Sequence, residues 1–424
     1  FFDVDEFEEI VEYYVEYGRI SKAKRALEIG LSQHPDASSL KLLNAEQLVF
    51  EDRLDEATQL LSELEGIEPM NAEVFVQKAN LYSKLNQHQK AIELLVHAAS
   101  LTDELSDVYA LIAMEYTYIE DYPQAKYYFT KCLECDPQDY TALQQLLYCY
   151  EVLGQTAEAK TFLNDYLDQN PYCEIAWYCL GKLYITDDDL KNALRCFDFA
   201  IISDDTFTGA YFEKARVLEA MEQYEKAIEN YKITLTLDDP SALVYLHIGR
   251  CYEKMRNDQK AEEYYFRATH EDPQLGKAWI TLADFYYLRR KHDKALKYIQ
   301  KLLSFEPNEP YYWRRYAELN YFELGNIDEA EYGYRRAVQN GDYSYATLIE
   351  WIDLMLLTEK YQDALPIISD VVFIYPTELD NYYRIALAYY GTGDEDNAQK
   401  YYQLGVAKAP QWQSFFESKF NFKM

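Results

Sequence analysis

Apolar positions recur along this chain three and four residues apart, the spacing of a helix with one buried stripe. The pattern restarts at a fixed interval. Its fixed point is a run of twelve alanines: Ala23, Ala57, Ala91, Ala125, Ala159, Ala193, Ala227, Ala261, Ala295, Ala330, Ala364 and Ala398. Every interval is 34 residues except the one between Ala295 and Ala330, which is 35. Nine residues before most of these alanines stands a tyrosine, as at Tyr14, Tyr150 and Tyr252. Sixteen before, aromatics recur, as at Phe7, Trp177 and Trp279. Four after stands Leu, Phe, Ile or Tyr, and seven after the residue is mostly small. Each period therefore predicts two amphipathic helices that approach closely at small residues. A fixed period of this length predicts a stacked array of one small unit rather than a single globular core.

Turn chemistry agrees with that division. Gly18, Gly154, Gly325 and Gly393 lie five before their alanines and fit the turn between the two helices, where glycine takes a left-handed backbone at low cost. A proline twelve after the alanine, such as Pro35, Pro137, Pro171 or Pro273, ends the second helix. Asp103, Asp205, Asp239 and Asp342 replace it in four periods, and longer or looser connections are expected there. The extra residue between Ala317 and Gly325 predicts a bulge or an overwound turn. Pro366 falls within a second helix, in a place expected to cost little.

The signature resembles the tetratricopeptide repeat family. Trp177-Tyr178-Cys179-Leu180-Gly181-Lys182-Leu183-Tyr184 with Ala193, Phe197 and Ala200 is a near-complete match, and the resemblance spans about residues 4–412. It implies an all-α fold, a right-handed superhelical solenoid of about twelve helix-turn-helix repeats. Residues 1–412 read as one continuous array and 413–424 as a capping segment or the start of something longer. The resemblance also implies a concave groove lined by the first helices, which binds peptides or partner proteins and does not catalyse.

The groove is read from helical geometry. At about 100° per residue, positions fifteen and eleven before the alanine point away from the core stripe. The eleven-before column is segmented: Glu12 and Glu46 are acidic, Lys182, Arg216 and Arg250 basic, and Asp284, Glu318 and Asp353 acidic again, with Leu387 last. Beside the three cations lie Tyr178, Phe212 and Leu246, with Tyr148 just upstream. With first helices about 10 Å apart and an extended peptide rising roughly 3.3 Å per residue, such a ladder would meet about every third ligand residue. The peptide-binding candidates are thus Lys182, Arg216, Arg250, Tyr148, Tyr178, Phe212 and Leu246. The ligand expected is an extended segment with acidic and apolar side chains. Against this stands a plainer reading, in which Glu213, Glu219 and Glu253 pair within their helices with Arg216 and Arg250 on a solvated face. Tyr287 and Tyr383 also fall on the groove side. The other tyrosines read as buried rings with hydroxyls at the exposed edge. His247 borders the groove. The family's carboxylate clamp, lysine fifteen before the alanine followed by asparagine four later, is absent; Arg314, followed by Glu318, is the nearest approach.

Charge narrows the partners. Seventy-three acidic residues against 41 basic ones give a formal net charge of −32. Such a surface repels nucleic-acid phosphates and anionic headgroups, so nucleic acid is not expected as a partner. No apolar run is long enough for a membrane-spanning helix, and membrane insertion is not expected. The chain opens on Phe1-Phe2-Asp3-Val4 rather than methionine, which reads as a fragment or processed form. Seven unevenly spaced cysteines do not form a disulfide framework, which favours a reducing, cytoplasmic setting. Cys132 and Cys135 form a CxxC, but Cys132 falls on a small packing position and no second ligand pair follows, so no metal or cofactor is expected. No phosphate loop, HExxH or GxSxG occurs. Acidic residues from Asp3 to Glu16 read either as a solvated helix start or as a lure for a basic partner. The reading is a non-catalytic scaffold. The alternatives are assembly or self-association through edges or the Phe-rich segment 415–422, or an accessory domain of a longer enzyme.

Overall fold

The computed structural model describes residues 2–420. They form 25 α-helices, one π-helical turn and one short 3-10 turn, with no strand among the described residues. The chain divides into two compact units, Phe1–Glu213 and Lys214–Met424. Within each, consecutive helices pair antiparallel and successive pairs stack, so each unit is a helical solenoid in the repeat register read from the sequence.

All twelve alanines are at most 2 % exposed, at the crossing of the paired helices. Close approach there is set by a size match. Where the residue four after the alanine is aromatic (Phe129, Phe197, Tyr231, Tyr265, Tyr334, Tyr402), the facing first helix offers Ala113, Gly181, Ala215, Gly249, Ala317 or Ala386. A Cβ on Gly181 would lie 2.7 Å from the Phe197 ring, and one on Gly249 would lie 2.6 Å from Tyr265. Where the second helix carries a leucine or isoleucine, the partner varies: Val11 stands opposite Leu27, Leu147 opposite Leu163 and Ile352 opposite Ile368, while Ala45, Ala79 and Ala283 stand opposite Leu61, Leu95 and Ile299. Interior packing of this density leaves no slack for a methyl group.

The turns repeat as closely as the cores. Five before each alanine the backbone is left-handed, with φ between 56° and 82°. Four of these residues are the expected glycines; Asp52, Asn86, Glu120, Asp188, Glu222, Arg256, Arg290 and Glu359 adopt the same conformation. The next amide then bonds back to the carbonyl five residues earlier, as in Arg19 to Tyr14 (2.7 Å), Gln155 to Tyr150 (2.9 Å) and Asn257 to Tyr252 (2.9 Å). This closes the helix end and offsets the roughly 1–2 kcal/mol that left-handed backbone costs a non-glycine residue. The prolines serve the next repeat too: Trp177, Trp279 and Trp313 donate their indole N–H to the carbonyls of Pro171, Pro273 and Pro307 at 2.8, 2.9 and 2.6 Å.

Two local expectations change and one holds. The extra residue near Ala317 forms the expected bulge and not an overwound turn: Leu319–Leu324 is a π-helical turn, and buried Asn320 is satisfied there by the Tyr316 carbonyl at 2.8 Å and the Asn326 amide at 3.1 Å. The Asp205 and Asp239 connections are no longer than those at Pro35 or Pro137, and in the Asp205 turn the Asp204 carboxylate accepts from the Thr206 amide as Asp136 does from Gln138. Pro366 sits in the second turn of Tyr361–Ile374, one turn past the tolerated start, so one helical hydrogen bond is missing while the helix runs on.

The C-terminal segment is a helix, Gln413–Phe420, preceded by a turn at Pro410–Trp412. Phe416 is 1 % exposed and stacks on Tyr383 with ring centroids 5.2 Å apart. The remainder of the Phe-rich end, Asn421 and Phe422 onward, lies outside the described residues.

Candidate functional site

The seven candidates fall in two places. In the first unit, Tyr148 on helix Tyr140–Val152 and Lys182 on helix Glu174–Thr186 flank a cleft of about 400 Å³. Its walls are largely apolar, with Leu147, Cys179 and Leu183, and Gln144, Glu151 and Thr186 add polar groups. Tyr148 is 47 % exposed and meets Tyr122 edge to face at 6.1 Å. The Lys182 ammonium lies 5.6 Å above the Tyr178 ring, an attraction between cation and ring face that needs no counter-ion. Tyr178 is half-buried against Phe197 and Phe207, at 6.0 and 5.2 Å. Burial pushes the Cys179 thiol up to about 11, so it lines this cleft as a neutral apolar group. Phe212 is half-buried on helix Thr208–Ala220.

In the second unit, Arg216 lies on the same helix and is exposed. Arg250, on helix Ala242–Lys254, borders a cleft of about 200 Å³. Leu246 also lines it but is 2 % exposed, so it forms floor rather than rim. The exposed apolar side chains at this opening are Leu243 and Leu288, which the column reading did not select. A leucine three residues from a selected one, on the same helical face, was the available signal.

For Arg250 the plainer ion-pair reading is changed in its partner. Arg250 approaches Glu219 on the preceding repeat, with Nε 3.7 Å from the carboxylate, not Glu253 on its own helix. Glu219 also accepts from Tyr231 at 2.9 Å and lies 2.8 Å from His247 Nδ1, while His247 stacks on Tyr231 at 5.2 Å. Glu253 instead takes the Tyr265 hydroxyl at 2.7 Å and Arg289 at 2.9 Å. Tyrosine hydroxyls in this column are therefore buried and bound to glutamate, not edge-exposed: Tyr231, Tyr265 and Tyr334 are 0 % exposed, and Tyr334 donates to Glu350 at 2.7 Å. A glutamate eight before the alanine in two of those repeats, Glu219 and Glu253, was the legible hint.

Burial pushes the Glu219 carboxyl up, but His247, Tyr231 and Arg250 outweigh it and hold it below the ordinary range. A lowered native value means the unfolded chain binds more protons as the solution becomes acidic. The stabilisation is therefore complete above the ordinary glutamate range and is lost as pH falls through the native value. Glu219→Gln is expected to cost about 2 kcal/mol at pH 7, as for a hydrogen bond to a charged group, and to flatten the acid side of the stability profile. Urea titrations across pH 3 to 7, an interval chosen around the ordinary carboxylate range, measure both.

The acidic end of the column differs from its expectation. Asp284 binds Arg315 at 2.7 Å, and Glu318 accepts from Arg314 and Arg315 at 2.8 Å each. Asp353 is 3 % exposed beneath Arg384, Leu387 is 6 % exposed and Tyr383 0 %, so none of these three faces an open groove. Tyr383 donates to the Ala409 carbonyl at 3.2 Å. Tyr287 remains at the surface, its hydroxyl 3.2 Å from Glu323 and its ring 5.3 Å beneath Arg315. Cys132 occupies its packing position with 0 % exposure; burial pushes its thiol up to about 11, while Cys135 is exposed. No described helix is long and apolar enough to cross a membrane.

Three models described as tetratricopeptide repeat match this chain: one at residues 120–183 and 259–319, one at 212–276, and one at 72–104 and 379–409. The chain is similar to anaphase-promoting complex subunit 3 of Schizosaccharomyces pombe, 27 % identical over 160 residues, which are 38 % of this chain and 24 % of that protein. It is also similar to protein O-mannosyl-transferase TMTC3 of Homo sapiens, 24 % identical over 192 residues, 43 % of this chain and 21 % of that protein. The chain thus spans about a quarter or less of the length of these curated relatives. Among solved structures, the APC/C hetero-tetramer Cut9-Hcn1 aligns with 94 % of this chain and 90 % of that one at 16 % identity and a TM-score of 0.38.

Proposed function

Because the chain belongs to the tetratricopeptide repeat family, we propose that it is a non-catalytic scaffold that binds an extended peptide segment of a partner protein. The observation that carries this reading is the cleft between Tyr148 and Lys182. It joins apolar walls to a half-exposed aromatic and to a cation without an ion pair among the described residues. The segment preferred there is acidic and apolar: a carboxylate meets Lys182, and apolar side chains cover Leu147, Leu183 and the Tyr148 ring. The aromatic supplies most of the affinity, and the cation sets orientation and encounter rate. Arg250, with Leu243 and Leu288, offers the same combination in the second unit, with a weaker charge because Glu219 shares it. The name of the fission-yeast relative, a subunit of a complex, supports a scaffold of this kind.

The test is a screen of displayed acidic-apolar peptides on the intact chain, followed by fluorescence anisotropy with the selected peptides. Tyr148→Ala and Lys182→Glu are each expected to weaken binding by about tenfold or more. Both side chains are accessible, so circular dichroism should stay unchanged. Peptides bound equally by both variants would overturn the assignment and favour binding through edges or ends.

A further inference from the structure

A second cleft of the first unit, about 390 Å³, opens between its first two repeats. Over a floor of buried Val11 and Ala23, three apolar lining residues are open to solvent: Val15 is 50 % exposed, Ile20 37 % and Phe50 67 %. The polar groups that line it are Glu12, Glu16, Glu46 and Gln47, and no basic residue does.

The structure divides the acidic N-terminal stretch by role. Asp3 and Glu6 close the capping box of helix Val4–Glu16, and Glu8 accepts from Ser39. Those carboxylates are accounted for by the fold. Glu12, Glu16 and Glu46 have no ion pair or hydrogen bond among the described residues. Partial enclosure in the cleft, and then repulsion from Glu73 and Glu12, push the Glu46 carboxyl up. Lys84 lies 6.0 Å over the Phe50 ring, but it is engaged by Asp52 at 3.0 Å and by the Val49 carbonyl at 2.7 Å. The contrast with the second unit is direct. There, equivalent acids of the column hold arginines: Asp284 with Arg315 and Asp353 with Arg384 from the next repeat, and Glu318 with Arg314 of its own helix. In the first two repeats no side chain of this kind is supplied, and the apolar surface beside the acids is equally uncovered.

We propose that this cleft docks a cationic, apolar segment of a partner protein, in which lysine or arginine side chains alternate with bulky apolar ones. The cations complement Glu12, Glu16 and Glu46, while the apolar side chains cover Val15, Ile20 and Phe50. Its ligand chemistry is opposite to that of the Lys182 cleft, and it does not depend on that assignment. An acidic-apolar segment is repelled here, which keeps the ligands of the two clefts apart.

A fluorescein-labelled peptide alternating lysine with leucine and phenylalanine, titrated by anisotropy against the intact chain, tests this. Binding is expected at low salt, weakening as ionic strength rises. Glu12→Gln, Glu16→Gln and Glu46→Gln together should weaken it by about tenfold or more, and so should Phe50→Ser. Lys182→Glu should leave it unchanged, which separates this result from the fate of the central assignment. Asp103→Asn, Glu104→Gln and Asp107→Asn together remove the same charge elsewhere and should also leave it unchanged. The proposal is overturned if no binding appears, if the distant charge variant loses as much, or if a glutamate-for-lysine peptide binds equally. Self-association of the chain that is abolished by Phe50→Ser in sedimentation would overturn it too, assigning the cleft to a second copy.

Discussion

Replacing Arg384 by leucine is expected to destabilise the second unit by about 3–5 kcal/mol, the cost of leaving buried charges without their partner. Arg384 is 3 % exposed on helix Asn381–Gly391. Its Nε donates to Asp353 at 2.7 Å and its Nη1 to Asp380 at 2.6 Å, and its guanidinium lies 4.9 Å over the Phe416 ring. Burial opposes the charge on Arg384, and the two aspartates outweigh it. Lys419 reaches Asp353 from the C-terminal helix at 2.7 Å, and Tyr345 donates to Asp380 at 2.8 Å. The leucine variant leaves Asp353 with Lys419 alone and Asp380 with the Tyr345 hydroxyl, and it loosens the contact that holds Gln413–Phe420. Urea unfolding measures the loss. Hydrogen exchange should show protection lost first in Asn381–Gly391 and Gln413–Phe420, because a repeat array communicates through nearest neighbours. Removing the network whole, with Arg384→Met, Asp353→Leu and Asp380→Asn, should recover most of the stability. A single variant that loses less than about 1 kcal/mol, the worth of an exposed pair, would show that the network is solvated in solution.

The second large effect concerns the size match under the Lys182 cleft. Gly181→Leu should cost about 3 kcal/mol, because its Cβ would lie 2.7 Å from Phe197 and neither helix has room to retreat. Phe197→Ala should cost about 3–5 kcal/mol by leaving a cavity where the ring is 0 % exposed. The double variant Gly181→Leu with Phe197→Leu copies the Leu147–Leu163 pair of the preceding repeat. It should be clearly more stable than the sum of its parts, with a coupling of about 1–3 kcal/mol in a double-mutant cycle. Additive effects would mean that the two positions do not share one packing volume. Tyr178 rests on Phe197, so Phe197→Ala should also weaken peptide binding at the Lys182 cleft, in excess of the fraction unfolded.

These two sites show where sequence reading reaches and where it stops. The Gly181–Phe197 match repeats a local rule. Both residues sit at set distances from Ala193, and the same pairing recurs through the chain, so the rule could be read by comparing repeats. The Arg384 network has no such register. Lys419 and Asp353 are 66 residues apart, and nothing in either segment alone marks the contact. The same holds for the groove column. Helical geometry placed Lys182 and Tyr148 on an open surface and placed Asp353, Leu387 and Tyr383 there by the same argument. The first two are exposed and the last three are buried, because Arg384 and the C-terminal helix cover them.

What the sequence determined by itself is therefore everything the period dictates. That is the helical pairs, the alanine crossings, the left-handed turns and the register that runs through both units. Each depends on residues within one repeat, and repetition makes a weak local signal unambiguous. Tertiary structure decided which outward positions stay open. It decided which acids find a cation, why Glu219 binds His247 and Arg250, and why Glu12, Glu16 and Glu46 bind no side chain among the described residues. Exposure and charge pairing belong to neighbours brought together by stacking, tens of residues apart along the chain, and a residue's place in its own helix does not specify them.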